Sequence, residues 1–213
     1  MYNLPYHKEN DEAVIKEFIE QYPFAFLSGC DANNKPIATQ LPLFKEVKNG
    51  RKVLRGHFMK NTDHHLAFQK NENVLVVFTG KHTYVSGTWY KNPHSPSTWN
   101  YMSVHVKGKI KFLEKDELKE ILRMVSLHFE NQDVEAPTVF DNLPESFRRK
   151  ALELIVGFEI EIEDIDSVFK LSQDRDQESY SRIIEKLKNQ DEDARVIAME
   201  MEKRMKGLFP SNL

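Results

Sequence analysis

The chain is poor in the features that announce many functional classes. It has a single cysteine, Cys30, among 213 residues. One thiol cannot close an intramolecular disulfide, so nothing demands an oxidising compartment, and it cannot build a zinc cluster. No run approaches the roughly 18 apolar residues of a membrane-spanning helix. The opening MYNLPYHKENDE has no signal-peptide apolar core. These absences point to a cytoplasmic protein without a membrane partner. An excess of one charge is also missing: the net charge of −3 argues against nucleic-acid binding by bulk electrostatics, though a local basic patch remains compatible. No Gly-rich loop follows a strand, which excludes a Rossmann or P-loop reading. Among eight histidines no pair has metalloprotease spacing, and the adjacent His64 and His65 would diverge by about 100° on a helix. There is no internal repeat and no low-complexity tract.

What is present is enough for a proper core. With 40 % hydrophobic and 30 % charged residues, the chain suits one large domain or a domain with an appendage. Apolar residues at helical spacing predict a helix over 11–22, ended by Pro23, and others over 64–70, 116–129 and 145–152. The apolar run 24–28 reads as a buried strand, and 37–44 as a strand that Pro42 disturbs. Asn49-Gly50 is the strongest hairpin signal and should join that strand to one over 53–59. Strands are predicted over 74–78, over 82–86 after a turn at Gly80-Lys81, over 104–112 and over 154–162. From about 174 the chain is helical, with Asp191 as the cap of a last helix. Short turns between successive strands favour an antiparallel barrel or meander. The expected fold class is mainly β with flanking helices (α+β).

The densest segment is 82–108, HTYVSGTWYKNPHSPSTWNYMSVHVKG. It holds both tryptophans, Trp89 and Trp99, with Tyr84, Tyr90 and Tyr101, punctuated by Pro93 and Pro96. Planar side chains on such a loop can wall a site for a flat ligand or close an interface. They can equally fold into the loop's own core.

Several segments occur together and in order: PIATQLPL at 36–43, GHFMKN at 56–61, FTGKHTYVSGTWY at 78–90, PSTWNYMSVHVKG at 96–108, VGFEIEI at 156–162 and KLSQ at 170–173. In them the chain resembles the PaiB-type FMN-binding proteins, described as negative transcriptional regulators. These sit within the FMN-binding split-barrel group that also holds pyridoxamine-phosphate oxidases. The resemblance implies an antiparallel split β-barrel of roughly six strands over 1–173, with a helical C-terminal extension over 174–213 packed on the same domain. It implies a homodimer with FMN at the subunit interface. It also implies site roles. Thr39, Gln40 and Leu41 would lie along the flavin ring and ribityl chain. His57, Phe58, Met59, Lys60, Asn61 and Thr62 would hold the phosphate. Trp99 and Asn100 would reach the flavin of the partner subunit. A phosphate suits a lysine, a hydroxyl and free helix amides. Lys60, Thr62 and a helix from about Asp63 could supply these, provided Asp63 turns away to cap. The arginine common at this phosphate has no counterpart in the loop unless Arg55 bends in. Lys170, Ser172 and Gln173 either touch ligand or seal the barrel.

Three functions fit this pattern: a flavin-binding regulator, a flavin-dependent oxidoreductase, and a dimer whose flavin pocket is vestigial. An oxidoreductase would draw protons from His57, Tyr101 or His105. A DNA reader needs a basic recognition helix. Between Lys170 and Lys206, however, nine Lys plus Arg face nine Asp plus Glu. Arg55, Lys107, Lys109 and Lys111 could form a basic strand face. The EIEIEDID run at 159–166 reads as an exposed acidic face.

Overall fold

A computed structural model describes residues 1–92 and 94–210. Pro93 therefore lies outside the described residues. Seven antiparallel strands form one sheet: β1 (Phe24–Cys30), β2 (Pro36–Pro42), β3 (Phe44–Lys48), β4 (Arg51–Met59), β5 (Asn73–Val85), β6 (Thr98–Phe112) and β7 (Ile155–Lys170). Their order is β2-β1-β5-β6-β7-β4-β3, so β2 and β3 are edges and the hydrogen-bonded sheet is not closed. Six helices accompany it: α1 (Glu12–Gln21), α2 (Asp63–Phe68), α3 (Lys115–Phe129), α4 (Glu145–Leu154), α5 (Gln177–Lys188) and α6 (Glu192–Leu208). The fold is the expected split barrel with a helical C-terminal end.

Two compact units share the long strands. One comprises residues 1–18, 79–104 and 166 onward; the other comprises Ile19–Phe78 and His105–Ile165. The first buries Leu171, Tyr180, Ile183, Leu187, Ile197 and Met201. There the Tyr180 hydroxyl donates to the Met201 carbonyl at 3.0 Å, and burial pushes the phenol up to about 12. The second is cored by Leu27, Leu43, Leu54, Val76, Phe78 and Phe158. On it α3 and α4 form a smaller cluster, with Leu118, Leu122 and Phe140 packed on Leu143, Leu152 and Ile155.

The single strand expected over 37–44 is two strands serving opposite sheet edges. Pro42 has no amide hydrogen and ends the β1–β2 pairing opposite Phe24. Leu43 is fully buried, and its amide donates to the Pro23 carbonyl at 2.9 Å. From Phe44 the chain pairs with β4 instead. The hairpin is as read: Asn49 and Gly50 take φ of 50° and 77°, the positive values that this turn requires.

Three strands differ in extent from expectation, and β7 is one: it runs on to Lys170 rather than ending at 162. No turn forms at Gly80-Lys81; β5 runs through it, and buried positions shift from even numbers (Val74, Val76, Phe78, Gly80) to odd (Thr83, Val85). The change of phase lets one strand serve two cores without reversing. Strand β6 starts at Thr98, six residues before the expected 104. Trp99 and Asn100 therefore sit on a strand and must face opposite ways.

Candidate functional site

The expected phosphate loop is a tight, internally bonded turn between β4 and α2. Asn61 takes a left-handed φ of 62°, and its amide donates to His65 Nδ1 at 3.0 Å. Thr62 caps α2: its Oγ1 accepts from the His65 amide and donates to the Met59 carbonyl at 3.0 Å. The Asp63 carboxylate accepts from the His64 amide at 2.7 Å and meets His64 Nδ1 at 3.0 Å. Those contacts hold its carboxyl below the usual aspartate value, the His64 backbone amide foremost. Asp63 thus turns to cap, as a phosphate nearby would require. The early α2 amides are not free as expected, because Thr62 and Asp63 already occupy them. His64 and His65 do structural work that the sequence reading missed; the adjacent pair behind a Thr-Asp cap was the available signal.

Lys60 is the group left over. Its amide donates to the Leu154 carbonyl at 2.8 Å, but among the described residues its ammonium has no ion pair or hydrogen bond. Arg55 does not bend in. It is buried, with Nη1 donating to Glu46 Oε2 at 3.2 Å and Glu120 Oε2 lying 3.8 Å from Nη2. Among the described residues of this turn, Lys60 is the cation left without a partner.

Strand β2 lies beside it, since α2 packs on both β1 and β2. Pairing opposite Leu27 and Ala25 puts Thr39 and Leu41 on the inner face, where Leu41 is buried. Gln40 lies opposite Phe26 on the outer face and is exposed. Because β2 is an edge, it presents a row of backbone N–H and C=O groups that the sheet does not use. The strand that carries Thr39, Gln40 and Leu41 therefore contacts the helix into which the Lys60-Asn61-Thr62 turn leads. An edge backbone, an exposed amide and an unpaired ammonium are groups that suit FMN's polar ring edge and phosphate.

Strand alternation separates the next three residues. Phe58 points inward and packs on Phe158 with ring centroids 4.8 Å apart; it belongs to the core. Met59 is 49 % exposed. His57 faces the other way, lining a cavity with residues of α3 and α4, and is not brought to the turn.

The aromatic segment also divides. Tyr90 is buried, with the Arg175 guanidinium 4.4 Å over its ring, so part of the segment does pack into its own core. Trp99 is 53 % exposed and stands beside His82 and Tyr84, at centroid distances of 5.8 and 6.1 Å. Asn100, expected to reach flavin, is fully buried. Its Oδ1 accepts from Ser172 Oγ at 2.9 Å, and its Nδ2 lies 3.5 Å from Met201 Sδ. Even positions of β6 face inward here, which turns the amide away from any surface partner. Lys170 donates to the Trp99 carbonyl at 2.8 Å and to Thr98 Oγ1. Gln173 accepts from the Leu171 amide at 2.7 Å and meets His7 Nδ1 at 2.9 Å. The KLSQ segment therefore ties the start of β6 and the N-terminal residues to the strand end.

The possible basic face does not form. Lys107 pairs with Asp164 at 3.1 Å and Lys109 with Glu72 at 2.8 Å, while Arg55 is buried elsewhere. The acidic run is also partnered: Glu159 meets Lys48 and Glu161 meets Arg51, each at 3.1 Å.

Burial lowers the affinity of the His7, His57 and His65 imidazoles for protons below the usual histidine value. The unfolded chain then takes up protons below about pH 6.5 that the folded chain refuses. Stability is expected to be full above that value and to fall as pH drops through it. Urea midpoints at about pH 7.5 and about 5.5 check this; equal midpoints would refute it.

Comparisons with known proteins bear on the family and the fold. A family model described as "Putative FMN-binding domain" matches residues 1–164. The chain is 37 % identical to the protease synthase and sporulation protein PAI 2 of Bacillus subtilis, over 97 % of this chain and 99 % of that protein. In fold it is similar to the FAD and heme binding protein from Mycobacterium smegmatis. The TM-score is 0.58 at 15 % identity, covering 77 % of this chain and 73 % of the other. It is equally similar to the flavocytochrome Anf3 from Azotobacter vinelandii, with a TM-score of 0.58 at 14 % identity over 79 % and 72 %. No described helix is long and apolar enough to cross a membrane. The match over most of the chain and the full-length similarity to the Bacillus subtilis protein together show that this protein belongs to the PaiB-type family of FMN-binding domains.

Proposed function

We propose that the protein is a cytoplasmic homodimer that binds FMN at the subunit interface and acts as a negative regulator of transcription. The observation that carries the reading is the outer face of β1 and β2. Phe24 and Phe26 are 59 % and 47 % exposed there, Gln40 stands opposite Phe26, and Val77 of β5 pairs on its other side. A flat apolar face this open is a surface that a partner covers. A second copy supplies the cover, and the free edge of β2 lies along the seam to meet the flavin ring. Lys60 holds the phosphate, and Trp99 approaches from the second subunit. Bound FMN would supply a redox-active ring whose oxidation state the dimer can register. The free thiol of Cys30 suits a reducing compartment.

Regulation is read as indirect. Arg182 pairs with Glu178, Lys188 with Glu202, and Lys203 and Arg204 with Glu200. Cations already tied to carboxylates on α5 and α6 make a poor phosphate-binding face. A second reading, a flavin-dependent oxidoreductase, draws support from the exposed trio of Trp99, His82 and Tyr84, which offers a flat substrate a place to stack.

The test is Phe26→Asp, measured by light scattering and by FMN titration. The wild type is expected to run as a dimer binding one FMN per subunit. The variant is expected to be a folded monomer that has lost FMN. A variant that stays dimeric would remove this face from the interface. Steady oxidation of a reduced nicotinamide by the FMN-loaded protein in air, with dioxygen as the terminal electron acceptor and no partner protein present, would favour the oxidoreductase.

A further inference from the structure

In the unit formed by Ile19–Phe78 and His105–Ile165, a cavity of about 260 Å³ opens beside β4, between α3 and α4. Its walls are apolar, with Leu122, Val125, Leu143 and Ile155 among them. Three phenylalanines add ring faces: Phe140 is buried, while Phe129 and Phe147 are 53 % and 58 % exposed and so form its open rim. Four polar residues reach it, and three are already satisfied. Ser126 Oγ donates to the Arg123 carbonyl at 2.9 Å and accepts from the Phe140 amide at 3.0 Å. Thr138 Oγ1 donates to Glu130 Oε1 at 2.6 Å. The fourth is His57, whose imidazole forms no hydrogen bond with any described residue.

From this geometry we infer that the cavity is a second small-molecule site, separate from the FMN site, for a neutral aromatic compound bearing a hydroxyl or ring N–H. Size sets the first limit. A dry apolar cavity of about 150 Å³ admits benzene, so this one takes a substituted phenol or an indole. Chemistry sets the second. Desolvation disfavours the charged form of this half-buried imidazole, and its neutral form offers one donor and one acceptor, which matches a single hydroxyl or N–H. Charge sets the third. The lining includes the Glu130 carboxylate and no lysine or arginine, so a carboxylate ligand would lose its water and gain no counter-ion. The cavity is separate from the FMN site because His57 faces α3 and α4, whereas Lys60 lies in the turn past the end of β4 at Met59.

The test is an NMR titration of the full chain with 4-methylphenol. Saturable shifts of the Ala151 methyl and the His57 ring are expected. Ala151→Leu fills the cavity and should abolish them, leaving FMN binding unchanged. His57→Leu should weaken 4-methylphenol by about five- to tenfold, one neutral hydrogen bond, and leave toluene affinity unchanged. 4-Methylbenzoate should bind more weakly than 4-methylphenol. The inference is overturned by lack of saturation at millimolar 4-methylphenol, by binding that Ala151→Leu does not reduce, by a His57→Leu loss equal for both neutral ligands, or by tighter binding of the benzoate.

Discussion

Lys60→Ala is expected to weaken FMN binding by about 1–3 kcal/mol, roughly five- to 150-fold in dissociation constant, the scale of one charge-assisted contact. Lys60 carries this effect because nothing nearby shares it. Arg55 is committed to Glu46, the early amides of α2 are taken by Thr62 and Asp63, and the other titratable groups of the turn are the exposed Asp63 and two histidines. An unpaired ammonium contributes little to folding, so the variant should unfold at the same urea concentration as the wild type. Lys60→Arg should keep most of the affinity. The check is quenching of FMN fluorescence on titration with protein; an unchanged dissociation constant would take Lys60 out of the site.

Phe158→Ala is expected to lower the free energy of unfolding by about 3–5 kcal/mol, the usual cost of removing a fully buried ring. Phe158 has no solvent exposure, and it sits opposite Gly56 on the β4–β7 ladder. Its Cζ would be 3.1 Å from a Cβ added at Gly56, so the ring fills the space that this glycine leaves. It also backs Phe58, one residue from Met59 and two from Lys60. Strand β4 cannot collapse into the hole without losing its pairing to β7, so most of the cavity should persist. Because a domain holds only about 5–15 kcal/mol in total, the variant should be marginal and its FMN affinity measurable only at low temperature. Urea unfolding gives the number; a loss below about 1 kcal/mol would mean that the core relaxes around the gap.

Local chemistry was legible wherever a residue's conformation is its own affair. Asn49-Gly50 announced its hairpin because few residues accept positive φ, and Asp191 announced its cap because a short oxygen-bearing side chain reaches the amides beyond it. The run of separate motifs was enough to identify the family and with it the split barrel. Face was less legible than element. Alternation is readable only from a known starting point, and the aromatic segment concealed where β6 begins. Placing that start at Thr98 rather than at 104 is what turns Asn100 inward and leaves Trp99 outside.

The sequence by itself determined the fold class, the family and the Asn49-Gly50 turn, since these follow from periodicity, backbone preference and motif. Only the tertiary structure decided which of the motif residues could act together. Pairing put Gln40 outside and Leu41 inside, capping consumed the α2 amides, and an acidic neighbour on β3 held Arg55 away from the turn. The cause is that a strand residue's environment is set by its partner strand and covering helix. Those partners lie distant in sequence, as His57 shows by facing α3 and α4.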